Sequence, residues 1–268
     1  MTRTVRVGTS GWVYPPWRGT FYPKGLVQRR ELEYLSSTLN SVEINGTFYS
    51  LQKPDSFRRW TDQTPDDFVF AVKGPRFITH MKKLQDVDTP LANFFASGVL
   101  ALGAKLGPVL WQLPPTLQFD AEVLASFLDR LPRTTSAAAD LARHHDERLD
   151  GRDWTETDAD RPVRHAVEVR HPSFESSRAV RVMRDAGVAI VLADAAGRYP
   201  VIDEKTADFS YSRLHGDEKL YESGYSGDSL DAWAQRLRRR RGDIHAYFDN
   251  DVKVHAPFDA RGLLDRLS

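Results

Sequence analysis

Short runs of β-branched and aromatic residues alternate along the chain with stretches whose apolar positions recur every three or four residues. This is the pattern of strands followed by amphipathic helices. Strands are predicted over Val5–Thr9, Ser41–Ile44, Phe68–Val72, Pro108–Leu113, His165–Val169, Val188–Ala193, Phe209–Leu214 and Ile244–Phe248. Helices are predicted over Arg29–Leu39, Pro54–Trp60, Pro90–Leu102, Ala121–Leu131, Ser177–Ala186, Ser229–Arg240 and Arg261–Leu267. Leu32, Leu35 and Leu39 share one helical face, and Pro54 suits a first helical turn. The stretch Asp194–Thr206, after the sixth strand, shows no helical period.

Eight strands with seven helices predict an α/β fold, a single (β/α)8 TIM barrel over residues 1–268. An open doubly wound sheet is the alternative, but Gly8-Thr-Ser-Gly11 stands where its Gly-x-Gly-x-x-Gly turn would follow the first strand. Residues 143–162 are polar, acid-rich and aperiodic, and are expected as an insertion before strand five at the N-terminal face of the barrel. His144, His145, Asp146 and Glu147 within it are expected as a solvated loop rather than a metal cluster.

The apolar pattern breaks in one regular place. Parallel strands covered on both faces are nearly all apolar, because an unpaired buried ion costs several kcal/mol. Yet most of these strands carry ionisable or amide groups at their C-terminal ends. Glu43 and Asn45, Lys73, Gln112, Glu168 and Arg170, Asp194, Arg213 and His215, then Asp249 and Asn250 converge on one rim. That rim is where barrel enzymes place their chemistry. The same ring also reads as a buried structural network, with Lys73, Arg170 and Arg213 facing Glu43, Glu168, Asp194 and Asp249. Aromatics surround it: Trp12, Tyr14 and Trp17 after strand one, Tyr49 after strand two, and Tyr221 and Tyr225 after strand seven. They suit stacking on a ring or closing a lid. His80 adds an imidazole from the third βα loop.

Composition narrows the chemistry. The 268 residues are 41% hydrophobic, enough for a core, and Lys plus Arg balance Asp plus Glu at 37 each. A general polyanion binder is usually basic, so nucleic acid is a weakly supported partner. The absence of cysteine removes disulfides, thiolate metal sites and thiol catalysis. No leader-like or membrane-spanning run is found, so a cytoplasmic location and no membrane partner are expected. No phosphate loop, nucleophile elbow or His-Glu-x-x-His motif is present. The basic run 236–241 falls at a predicted helix C-terminus, where cations suit the helix dipole.

With these residues in view, the chain resembles the YecE-like family, known as domain of unknown function 72. The resemblance rests on Gly8-Thr-Ser-Gly-Trp-Val-Tyr14 with Trp17, Gly19 and Phe21-Tyr-Pro23, on Val42-Glu-Ile-Asn45 with Thr47-Phe-Tyr49, and on Phe70-Ala-Val-Lys73 with Ile78-Thr-His80. It continues through Leu106-Gly-Pro108, Gln112-Leu-Pro-Pro115, Glu168-Val-Arg-His171, Tyr211-Ser-Arg-Leu-His-Gly216 and Tyr247-Phe-Asp-Asn-Asp251. These blocks run in order over essentially the whole length. Where the family usually has paired asparagines, this chain has Asp249-Asn250. The resemblance implies a TIM barrel without a settled reaction. It also implies a barrel similar to xylose-isomerase-like and endonuclease-IV-like enzymes, which is a fold analogy only.

Three classes of function follow. The first is an enzyme, a hydrolase or isomerase, acting on a small polar ligand that carries a sugar or phosphate. Glu43 or Glu168 would be its general base and His215 its acid/base. Lys73, Arg170 and Arg213 would hold an anion, Trp12, Tyr14 and Trp17 would close over the ligand, and Asn45, Tyr49, His80, Gln112, Asp249 and Asn250 would line the site. The second is a metal-dependent nucleic-acid phosphodiesterase. A divalent metal is not favoured for it, because Lys73 and Arg170 would repel a cation and His171 has the wrong strand parity. The third is a non-catalytic ligand-binding barrel. No cofactor is expected, and the oligomeric state is left open.

Overall fold

The computed structural model describes residues 3–268. Nine parallel strands form one sheet: β1 (Val5–Ser10), β2 (Ser41–Ile44), β3 (Val69–Lys73), β4 (Leu106–Gln112), β5 (His165–Glu168), β6 (Ala189–Ile190), β7 (Leu192–Asp194), β8 (Ser210–Leu214) and β9 (Ile244–Phe248). Their order, β6-β5-β4-β3-β2-β1-β9-β8-β7, brings the two edge strands β6 and β7 together in sequence. These two are halves of the single sixth strand expected from the sequence, parted at Val191. The lower half pairs with β5 through Ala166 and Ala189, and the upper half pairs with β8 through Leu192 and Ser212. Strand tilt in a closed barrel staggers neighbours, so this stave meets one neighbour low and the other high. The fold is a TIM barrel, with helices outside.

Two apolar layers hold it. Inside the ring, Phe209, Tyr211 and Tyr247 from β8 and β9 or their approach fill the lumen opposite the small Ala71, Ala166, Ala189 and Ala193. Outside it, strand residues such as Val7, Val42, Val72 and Val167 pack against the helices. Gly8 is needed where β1 and β2 approach closely: a Cβ there would lie 2.0 Å from the carbonyl oxygen of Ser41.

The helices are α1 (Glu31–Ser36), α2 (Pro54–Asp62), α3 (Asp88–Ala96), α4 (Ala121–Asp129), α5 (Thr135–Ala142), α6 (Ser177–Asp185), α7 (Gly227–Arg238) and α8 (Ala256–Leu267). Asp120, Thr134, Ser176 and Ser226 cap α4 to α7 by accepting a backbone N–H in the first turn. Two expectations change. The helix expected over Pro90–Leu102 stops at Ala96, because Gly98 turns left-handed (φ 117°) beside Pro54, and 3-10 turns follow. The last helix starts five residues earlier than expected, since Pro257 occupies its first turn rather than breaking it. The stretch Asp194–Thr206 contains no helix, as its lack of period predicts.

Residues 143–162 do not stay at the N-terminal face. Their base is there, where Thr134 bridges Pro162. From it α5 climbs beside α3, and the backbone N–H of Asp146 donates to Asn93 Oδ1 of α3 at 3.0 Å. The chain then descends past Ala96, whose carbonyl accepts from Trp154 N–H at 2.7 Å. The top of this excursion, Asp146 and Arg148, reaches the loops that follow β2 and β3. The histidines hold no shared ligand: His144 is exposed, and His145 Nε2 lies 3.6 Å from Asp153. Among the described residues no helix is long and apolar enough to cross a membrane.

Candidate functional site

Strand parity builds the site. Residues two apart share a face, so Ser10, Glu43, Lys73, Gln112, Glu168, Arg213 and Asp249 all point into the barrel above the aromatic layer. Arg213 stands at their centre, fully buried. Its Nη1 donates to Glu168 Oε2 at 2.7 Å, and its Nη2 donates to Glu43 Oε1 at 2.8 Å, Ser10 Oγ at 2.9 Å and Asp249 Oδ2 at 3.1 Å. Its Nε donates to Glu43 Oε2 at 3.2 Å. Burial disfavours the charged guanidinium, but Glu43, Glu168 and Asp249 more than offset this and hold its pKa above the ordinary value.

The two glutamates complete a sealed floor. Glu43 also accepts from Ser10 Oγ at 2.5 Å and from the Tyr211 hydroxyl at 2.6 Å. Glu168 accepts from Gln112 Nε2 and from Arg170 Nε, each at 2.9 Å. Burial pushes its carboxyl up, while Arg170, Arg213 and His215 together hold it below the usual range. Neither glutamate side chain has any exposed surface. One or the other was expected to serve as the general base. The structure instead encloses them, with all four oxygens engaged, under Arg213.

Above the floor lies a ring that does reach the mouth. Asp249 keeps 14% of its side chain exposed while accepting from Arg213 and lying 3.1 Å from His215 Nδ1. Burial raises its pKa, but Arg213, His215 and Lys73 depress it further, so it is ionised. His215 is buried, its Nε2 3.4 Å from Glu168 Oε1 without an aligned hydrogen bond. Arg170 keeps 10% of its side chain exposed, stacked 4.6 Å over the Tyr199 ring and 3.4 Å from the Tyr221 hydroxyl.

Lys73 differs from the other cations. Its Nζ sits 4.2 Å from the centre of the Phe48 ring, and among the described residues it forms no ion pair. Burial and the neighbouring Arg213 charge bring its pKa down to about 8, against the pull of Glu43, Asp249 and Glu168. His80 lies edge-on to the same Phe48, centroids 5.1 Å apart. Burial, with Arg170, Lys73 and Arg76 nearby, lowers its pKa to about 4, so it is neutral.

Tyr14 and Asn45 flank this ring. The Tyr14 hydroxyl donates to the Ser10 carbonyl at 2.5 Å, and Asn45 Oδ1 is buried with no partner.

Four expected site residues lie elsewhere. Trp17 is wholly buried among Tyr14, Phe21 and Tyr22 and is core. Trp12 packs edge-on against Trp60 of α2 at 5.3 Å instead of closing over the mouth. Asn250 faces outward, donating to the Ser223 carbonyl and Asp259 to anchor α8. Asp194 likewise turns out of the lumen and accepts from the Tyr225 hydroxyl at 3.0 Å. Tyr49 is on the rim but stands outside the ring, 64% exposed, with Arg76 over its face. His171 turns away from the ring, as its parity predicts, and bonds Ser173. Sequence reasoning missed Ser10 and Tyr199: a serine at a strand end carries little signal, and Tyr199 falls in an irregular segment.

Among the described residues no three His, Asp or Glu side chains converge to hold a metal ion. The carboxylates that would do so are bound to Arg213. The basic run at the end of α7 is also engaged, with Arg236 and Arg240 paired to Asp203.

A family model described as protein of unknown function DUF72 matches residues 6–268. YecE of Escherichia coli K12 is 29% identical over 197 residues, which is 71% of this chain and 59% of that protein. YunF of Bacillus subtilis is 28% identical over 126 residues, 45% of this chain and 44% of that protein. The chain thus spans less than two thirds of the length of these curated relatives. A DUF72 family protein from Thermotoga maritima superposes with a TM-score of 0.79 at 26% identity, covering 99% of each chain. One from Enterococcus faecalis superposes with a TM-score of 0.75 at 15% identity, covering 98% and 95%, a likeness of fold.

Proposed function

This chain belongs to the protein family of unknown function DUF72, and from that premise we propose that its barrel mouth binds a small anionic ligand and performs acid–base chemistry on it. The observation that carries the reading is Lys73, a buried ammonium at the mouth with no carboxylate partner among the described residues. Glu43, Asp249 and Glu168 act on this ammonium only without contact, so its hydrogen-bonding capacity is unspent, and an incoming phosphate or carboxylate supplies the missing contact. Arg170 stands at the same mouth as a second donor, its Nη groups only loosely engaged.

In this reading Asp249 is the base, since it is the ring carboxylate that keeps exposure. Arg213 holds it ionised and His215 orients it. Neutral His80 supplies a hydrogen bond or a proton relay. Glu43, Glu168, Gln112 and Arg213 act as positioning residues, fixing a floor that costs no reorganisation during reaction. A sugar phosphate, with hydrolysis or isomerisation as the reaction class, fits this set.

Calorimetry with inorganic phosphate, citrate and a panel of sugar phosphates tests it. At least one anion should bind the wild type and lose ten-fold or more affinity in Lys73→Met. Binding that is absent throughout, or indifferent to this substitution, overturns the reading. Asp249→Asn separates an enzyme from a binding barrel, because only an enzyme loses turnover while keeping the ligand.

A further inference from the structure

Beside the mouth, and separated from Lys73 by the Phe48 ring, lies a groove of about 610 Å3. That volume is within the usual range for a small-molecule site. One wall is Phe48 and Tyr49, from the loop after β2. Phe77 and Met81, from the loop after β3, also line it, as do Asp146 and Arg148 at the top of the polar excursion. Pro75 and Ile78 are buried beneath it. Tyr49 and Met81 leave 64% and 65% of their surface open, an unusual expense of apolar area for side chains on the lip of a cavity.

The charges are as informative as the walls. Arg76 and Lys82 line the groove and form no ion pair among the described residues, whereas Arg148 lies 3.7 Å from Asp146. With Asp86 as the remaining charged lining residue, the groove is net positive. Its backbone is also held in a costly form. Residues Phe77–Met81 form one π-helical turn, and Lys83, Leu84 and Asp86 follow with φ of 50°, 70° and 51°. Left-handed conformations at non-glycine positions cost about 1–3 kcal/mol each and cluster at ligand sites. This turn sends Phe77 and Met81 into the groove wall, while His80 meets Phe48 on the mouth side.

We propose that this groove binds the planar apolar portion of the ligand whose anionic end the mouth holds. The ligand class is then an aromatic or heteroaromatic ring joined to a phosphate or carboxylate, lying across Phe48 with its ring between Tyr49 and Met81. Part of this proposal, the anion at Lys73, rests on the function proposed above. The ring subsite does not. Polarisable sulfur and aromatic faces favour a flat π-system over a sugar, and the positive lip favours an anion attached to it.

The test uses the intact chain and four probes: inorganic phosphate, ribose 5-phosphate, adenosine 5′-monophosphate and adenosine, with affinities read by calorimetry. The proposal expects adenosine monophosphate to bind at least ten-fold more tightly than ribose 5-phosphate. It expects Tyr49→Ala and Met81→Ala, both surface substitutions, each to remove three-fold or more of that advantage and leave phosphate affinity unchanged. Equal affinity for the two phosphates, or an advantage untouched by both substitutions, overturns the subsite. Should phosphate fail to bind while adenosine binds in a Tyr49-dependent way, the subsite stands and the anionic mouth falls. Phosphate binding that depends on Lys73 without any gain from adenine reverses that outcome.

Discussion

Arg213 and Glu168 meet at 2.7 Å across the barrel lumen, and neither side chain touches solvent. A single guanidinium thereby joins residues from β1, β2, β5, β8 and the end of β9, since it also bonds Ser10, Glu43 and Asp249. Such a network is no simple gain, because desolvation of its ions offsets much of their attraction. Removing one member is a different matter. The others stay buried and lose their counter-ion.

Arg213→Met is therefore expected to destabilise the fold by about 3–5 kcal/mol, the usual consequence of breaking a buried ion pair. Urea denaturation checks this. Arg213→Lys should recover little, because an ammonium cannot supply the forked donors that the two glutamates share.

Lys73 gives the opposite sign. Lys73→Met removes a buried charge that no carboxylate pairs, so the melting temperature should hold or rise while anion affinity falls. In the wild type, anion affinity should weaken as pH rises through about 8, where Lys73 loses its proton. Lys73→Arg should keep binding to higher pH, since arginine stays charged. Affinity that is flat from pH 7 to 9.5 in the wild type would remove Lys73 from the anion site.

Asp249→Asn should lower turnover of any substrate found by metabolite screening by 100-fold or more. Anion affinity should be kept or increased, since a negative charge at the mouth is lost. Retained turnover would show that the base lies elsewhere.

His245, buried at the lower end of the lumen beside Tyr211, is held down to about pKa 3 by burial and by Arg164, against the pull of Asp243. The unfolded chain takes up its proton near the ordinary histidine value and the folded chain does not. Its contribution is thus present above about pH 6.5 and is lost as pH falls toward 3. Relative to His245→Gln, wild-type stability should drop by roughly 1.4 kcal/mol per pH unit between pH 6 and 4. Denaturant titrations of both proteins at several pH values measure this difference directly. Parallel pH profiles would mean that the imidazole is not neutral in the folded state.

The barrel and its rim were legible because parallel strands tolerate so few polar residues that Glu43, Lys73, Glu168 and Arg213 stand out at their ends. Parity also turned His171 away, but the same rule separates Asp249 from the adjacent Asn250 at the last strand, where both were expected at the rim. Which carboxylate meets solvent was not legible. Glu43 and Asp249 look alike in sequence, and only the count of donors gathered around each distinguishes a sealed acid from an open one. Aromatics in the proline-rich loop after β1 carry no period, so nothing marked Trp17 as core or Trp12 as a partner of Trp60. The groove was invisible for a different reason: its walls come from residues 48–51, 75–93 and 146–148, which only the climb of α5 brings together.

The parting of one stave at Val191 bears on how the two sides of the mouth stay in step. Between β5 and β8 the ladder changes hands within one residue, so no stretch of that stave is stitched to both neighbours at once. Arg170, after β5, and His215, after β8, come from the two strands that flank this splice, and each brings a nitrogen to Glu168 Oε1, at 2.9 and 3.4 Å. What fixes their separation is the shared grip of Glu168, which holds Arg170 directly and β8 through Arg213. A side-chain clasp, not the sheet, sets the gauge of the opening at its weakest seam.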